Sequence, residues 1–176
     1  MARRSSSKSS PRRPGGYARP PAGTALDTGI RLLAPRAHSR AELRQKLARR
    51  GYEEDEVTSA IARLTEMGYL DDSAFARGLV RRRSATRGPM AVSAELAAKG
   101  IDRQGVAEAL AELDAESQLA SATRLAERLC PRGAEIGDRE MLDRVGVKLL
   151  RRGFPSGIVR AACRAVLAKR RGLPDA

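Results

Sequence analysis

Apolar residues recur at helical spacing through most of the chain, and the same pattern returns three times. The segment SRAELRQKLARRGYEEDEVTSAIARL (39–64) aligns without gaps to GPMAVSAELAAKGIDRQGVAEALAEL (88–113) and to MLDRVGVKLLRRGFPSGIVRAACRAV (141–166). Leu43, Val92 and Val145 coincide in this alignment, as do Leu47, Leu96 and Leu149. Further along, Gly51, Gly100 and Gly153 fall together, then Val57, Val106 and Val159, then Ala60, Ala109 and Ala162. These shared positions predict a helix, a glycine turn and a second helix in each copy.

The shared glycine suits the left-handed position that ends a helix. A basic residue (Arg50, Lys99 or Arg152) precedes it, where it meets the carbonyl end of the helix dipole. An apolar residue (Tyr52, Ile101 or Phe154) follows, placed to fold back on Leu47, Leu96 or Leu149. Acidic Glu53, Glu54 and Asp102 suit the amide end of the next helix, and Pro155 and Ser156 take that place in the third copy. Ser39 with Glu42 three residues later reads as a capping box.

Each pair has room upstream for one more helix, over Leu26–Ala34, Asp72–Ala85 and Ala115–Leu129. The first is the weakest, because Gly29 lies inside it and Pro35 ends it. The expected fold is all-α: three tandem three-helix repeats, over 24–70, 71–113 and 114–170, forming a curved, elongated array. A long connection, CPRGAEIGD (130–138), is expected to be a loop, and 171–176 a short tail.

Composition agrees, with 41% hydrophobic residues but only 3% aromatic and no Trp, so Leu, Ala, Val and Ile must build the core. Residues 1–23 hold Arg3, Arg4, Lys8, Arg12, Arg13 and Arg19, no acid, and much Ser, Pro and Gly. They predict a disordered basic tail. An organelle transit peptide shares that composition, but Pro11, Pro14, Gly15 and Gly16 interrupt any amphipathic helix. The whole chain carries a formal charge of +13, which favours polyanions or acidic protein surfaces as partners. No run approaches the roughly 20 apolar residues of a membrane span. The two cysteines, Cys130 and Cys163, do not suggest a disulfide scaffold, so the cytoplasm is the expected compartment.

Candidate chemistry is sparse. The sequence has no GxxxxGK[ST], HExxH, CxxC or GxSxG motif, and His38 is the only histidine. No catalytic residue, cofactor or metal is therefore expected. His38 reads as a polar turn residue, and Cys163 as a small core residue. Asp71 and Asp72 could hold a metal but more simply cap the next helix. The pointed feature is charge: Arg81, Arg82 and Arg83, with Arg87 nearby, end the second repeat's first helix. A second basic group, Arg44, Lys46, Arg49 and Arg50, precedes Gly51, and the two groups could line one concave face.

The stretch 39–101 resembles the RecX family of bacterial regulatory proteins. The resemblance rests on EL..KL...G in the first repeat, on GYLDD..FA....RR, and on GP..V..EL..KGI in the second. It extends over about 24–169, with the third copy the most diverged. Its motif residues here are Gly68, Tyr69, Leu70, Asp71, Asp72, Phe75 and Ala76, then Gly88, Pro89, Glu95, Leu96, Lys99, Gly100 and Ile101. Most of these are expected to serve folding. The resemblance implies a cofactor-free regulator that binds the RecA filament on single-stranded DNA and restrains recombinase and co-protease activity; a non-enzymatic protein and a monomer are the expectations set beside it. Arg81, Arg82, Arg83, Arg87 and Lys99 are the candidate contacts, with the basic group on 44–50 as a second set. The alternative is a helical module acting directly on DNA or RNA, because a basic protein binds DNA weakly at low salt whatever its target. An enzyme has the least support.

Overall fold

The computed structural model describes residues 23–131 and 136–172. Most of the expected basic tail, the end of the C-terminal tail and the middle of the 130–138 connection lie outside the described residues. Three bundles follow one another. The first comprises α1 (Ala25–Leu33), α2 (Arg40–Ala48) and α3 (Glu54–Glu66). The second comprises α4 (Asp72–Arg83), α5 (Pro89–Ala98) and α6 (Arg103–Ala111). The third has α7 (Ala115–Leu129), α8 (Asp138–Met141), a π-helical turn (Leu142–Gly146), α9 (Val147–Arg151) and α10 (Ser156–Arg170).

Side-chain caps start most of these helices. Thr24, Ser39, Asp71, Asp102 and Asp114 each accept a hydrogen bond from the amide three residues on, and a cap of this kind is worth about 1 kcal/mol. The complete capping box belongs to Glu53 and Glu56 on α3. The box expected at Ser39 and Glu42 forms by half: Ser39 Oγ accepts from the Glu42 amide at 3.1 Å, while the strong partner of the Glu42 carboxylate lies in the next bundle.

The glycine turns are left-handed, with φ of +86° at Gly51, +79° at Gly100 and +84° at Gly153. The Ile101 and Phe154 amides bond back to the Leu96 and Leu149 carbonyls, which draws their side chains into the core. Gly68 makes a fourth such turn after α3, at +75°. It buries Leu70 and leaves Tyr69 half exposed, at 54%. Gly29 is not merely tolerated in α1. A Cβ there would press on Leu64, so the missing side chain is what lets α3 approach.

Each bundle has its own core. Leu43, Leu47, Val57 and Leu64 anchor the first, Phe75, Val80, Val92 and Leu96 the second, and Met141, Val145, Leu149 and Phe154 the third. Cys163 is buried in the third, where the apolar surroundings push its thiol up. The middle helix of the third bundle departs from the aligned pattern, starting at Asp138 rather than Met141 and inserting the π turn. Val145 within that turn and Leu149 after it are both fully buried.

Helix-on-helix packing stays within bundles: α1 and α2 on α3, α4 and α5 on α6, α7 on α10. Neighbouring bundles meet instead where the start of one middle helix abuts the glycine turn ending the next. Ser39 Oγ donates to the Lys99 carbonyl at 2.6 Å, and Ala41 fills the space a Gly100 side chain would need. At the second junction the Gly88 amide donates to the Arg152 carbonyl at 2.8 Å and the Met90 amide to the Gly153 carbonyl at 3.2 Å. Ala91 lies against Gly153 there. The amide end of each helix thus faces the carbonyl end of the next, so their dipoles attract.

Candidate functional site

The junction between the first two bundles gathers the charged side chains singled out in the sequence. Glu42, at the start of α2, is largely buried and pairs with Lys99 Nζ at the end of α5. Arg36 Nη1 lies 3.7 Å from its other oxygen, and His38 Nδ1 lies 3.4 Å from that same atom. Burial pushes the Glu42 carboxyl up, but the hydrogen bond and charge of Lys99, and then Arg36, outweigh it and leave the group below its ordinary value. His38 is a turn residue, as expected, yet it is buried. That burial, then the charges of Arg36 and Lys46, hold its imidazole below the ordinary value against the pull of Glu42. On the far side of Lys99, Arg83 donates twice to Glu95 Oε1, at 3.1 and 2.8 Å, and Arg87 lies 3.8 Å from Oε2.

Between these two carboxylates a cleft of about 500 Å³ opens, lined by Arg36, Ala37, Phe75, Leu79, Arg82, Arg83, Glu95 and Lys99. Phe75, Leu79 and Arg82 share one face of α4 because they are four and three residues apart. Arg81 lies two residues beyond Leu79, which turns it to the opposite side of α4. The α2 group divides in the same way. Lys46 and Arg49 fall on the Glu42 side, whereas Arg44 turns away to Glu54 at 3.5 Å, and Arg50 bonds back to the Lys46 carbonyl at 2.9 Å. The two basic groups therefore do not present one continuous face. Of the basic residues singled out, Arg82, Arg83 and Lys99 line the cleft together, and Arg87 lies beside Glu95.

Arg36, Glu42 and Glu95 complete this arrangement without having been singled out as contacts. Helical spacing carries no trace of their pairing, since Arg83 and Glu95 stand on different helices and Glu42 is 57 residues from Lys99. A smaller recess near the same junction holds Arg40, Asp71, Asp72, Asp102 and Glu108. Asp71 caps α4 through the Ala74 amide at 2.9 Å, and Asp72 accepts from the Arg40 amide of α2 at 2.9 Å. Among the described residues no group of three or more His, Cys, Asp or Glu is placed to hold a metal ion. Nor, among them, is any helix long and apolar enough to cross a membrane.

Comparison with known proteins places these bundles. Residues 25–64 match the model of the first three-helix domain of RecX, and residues 71–110 that of the second. Regulatory protein RecX of Stenotrophomonas maltophilia (strain R551-3) is 38% identical over 149 residues, covering 83% of this chain and 89% of that protein. Regulatory protein RecX of Mycobacterium ulcerans (strain Agy99) is 38% identical over 143 residues, covering 80% and 81%. The crystal structure of RecX from Lactobacillus salivarius superposes with a TM-score of 0.73 at 24% identity, covering 81% of this chain and 94% of that one, a likeness of fold. With that identity spread over most of both chains, this protein belongs to the RecX family of regulatory proteins.

Proposed function

We propose that the protein regulates RecA by binding its filament on single-stranded DNA and restraining recombinase and co-protease activity. The observation that carries this reading is the basic face at the first junction, where Arg36, Arg82, Arg83 and Lys99 surround one cleft. Lys46 and Arg49 follow Glu42 by one and two turns on the same side of α2. Such a face suits a partner that offers acidic protein surface and phosphates side by side. Family membership supports a regulatory rather than a chemical role.

Direct nucleic-acid binding is the second reading, favoured by the +13 charge. Against it, Tyr69 is the one exposed aromatic among the described residues, and binding single strands by stacking needs successive platforms. The test is RecA's DNA-dependent ATP hydrolysis on preformed filaments near physiological salt. The protein is titrated well below one copy per DNA-binding site. Inhibition at those ratios is expected. Inhibition that needs saturating protein and vanishes with added salt would instead identify a competitor for DNA.

A further inference from the structure

We propose that the cleft between the first two bundles is a docking site for an acidic, partly apolar segment of the RecA protein, an inference that rests on the filament reading above. The cleft has an apolar floor, Phe75 and Leu79, beneath a cationic rim of Arg36, Arg82, Arg83 and Lys99. Two of those cations are already engaged: Arg83 with Glu95, and Lys99 with Glu42. Arg36 is engaged through Nη1 alone, 3.3 Å from the Ala37 carbonyl and 3.7 Å from Glu42, and Arg82 has no hydrogen bond or ion pair among the described residues. Gly78, one turn before Arg82, leaves room for that guanidinium to lie back along α4, 3.2 Å from where a Cβ would sit. The site therefore offers two available guanidiniums over a small apolar floor, which matches one carboxylate and a neighbouring apolar side chain.

A nucleic-acid strand fits less well. A strand needs a run of cations along its phosphates, whereas the Glu95 carboxylate lines this cleft between the cations. The position adds a consequence. An occupant would touch α4 and α5 of the second bundle and the Arg36–Ala37 turn of the first, so binding would hold the two bundles at one angle.

The experiment uses the full chain with three substitutions outside the cores. Arg82→Glu reverses the available charge, Ala37→Trp fills the cleft, and Arg160→Glu is the charge-matched control on an exposed position of α10. Far-UV circular dichroism establishes that each is folded. Binding is then measured on RecA filaments and on naked single-stranded DNA at the same salt. A benzophenone amino acid at position 37 is cross-linked to the filament, and the adduct is mapped by mass spectrometry. Expected are losses of about tenfold or more in filament binding for Arg82→Glu and Ala37→Trp. The control should bind the filament as the wild type does, both cleft variants should keep their naked-DNA binding, and the adduct should fall on an acidic RecA peptide. An adduct on DNA, or an equal loss on naked DNA, overturns the proposal in favour of phosphate binding. Wild-type filament binding by both cleft variants overturns the cleft and leaves the filament reading standing. If the unaltered protein does not bind the filament, both fall.

Discussion

Three glycines separate the terms that hold the bundles and their junctions together. Gly68 has φ +75° and nothing within 4 Å of a built Cβ, so Gly68→Ala should cost only the left-handed backbone term, about 1 kcal/mol. Gly100 has φ +79° and meets Ala41 of the first bundle, so Gly100→Ala adds overpacking of about 1–3 kcal/mol, for about 2–4 kcal/mol in total. Gly88 has an ordinary φ of −78°, yet a Cβ there would overlap the backbone of Gly153 and Phe154 in the third bundle. Gly88→Ala must therefore push the junction apart and forfeit the Gly88–Arg152 and Met90–Gly153 hydrogen bonds. At about 0.5–1.5 kcal/mol each, partly offset by a stiffer unfolded chain, the net cost is about 1–2 kcal/mol. Urea unfolding followed by circular dichroism at 222 nm measures all three. If Gly68→Ala costs as much as Gly100→Ala, the Ala41 contact contributes nothing. If Gly88→Ala is as stable as the wild type, the second junction is not held by that backbone approach, and the head-to-tail account fails.

Other consequences follow from the first junction and from the separate cores. Because His38 is held below its ordinary value in the folded protein, the unfolded chain takes up the proton first, and stability should fall as pH drops through about 6.5. His38→Gln should flatten that part of a plot of melting temperature between pH 8 and 5.5, and an unchanged slope would remove His38 as its cause. Glu42 has the opposite linkage: its lowered value stabilises the protein above the ordinary carboxylate range, and that contribution is lost as pH falls through the folded value. A double-mutant cycle of Glu42→Gln with Lys99→Met should show a coupling of about 1 kcal/mol, since the pair is only half-buried; a coupling of zero would mean the ion pair does not hold the bundles. Phe154→Ala should cost about 3–5 kcal/mol, and hydrogen exchange should speed up in α7 and α10 while amides of α3 keep their protection. Equal loosening in α3 would show that the cores are not independent.

Much of this protein is written in short range. A helix, its cap and the glycine that ends it all fall within about a dozen residues, so the turns at Gly51, Gly100 and Gly153 and the caps at Asp71 and Asp102 were legible from spacing alone. So was the burial of Leu43, Leu47, Val92, Leu96, Val145 and Leu149, because one apolar stripe per helix can face only one core. The π turn at Leu142–Gly146 was not legible, since the apolar pattern there reads as an uninterrupted helix.

What the sequence by itself determined is therefore the set of helices, where most of them end and which of their faces are buried. The tertiary structure alone decided how the bundles join and which charges meet. Glu42 carries the spacing of a cap partner but is taken by Lys99. Gly88 has no conformational need for glycine and is required by a backbone that follows 65 residues later. Arg81 and Arg82 are neighbours in the chain, yet one lines the cleft and the other turns away. Helical periodicity reports which side of a helix is apolar, because burial acts on each residue singly. An ion pair or a close backbone approach depends on two distant positions at once, and only the folded chain brings them together.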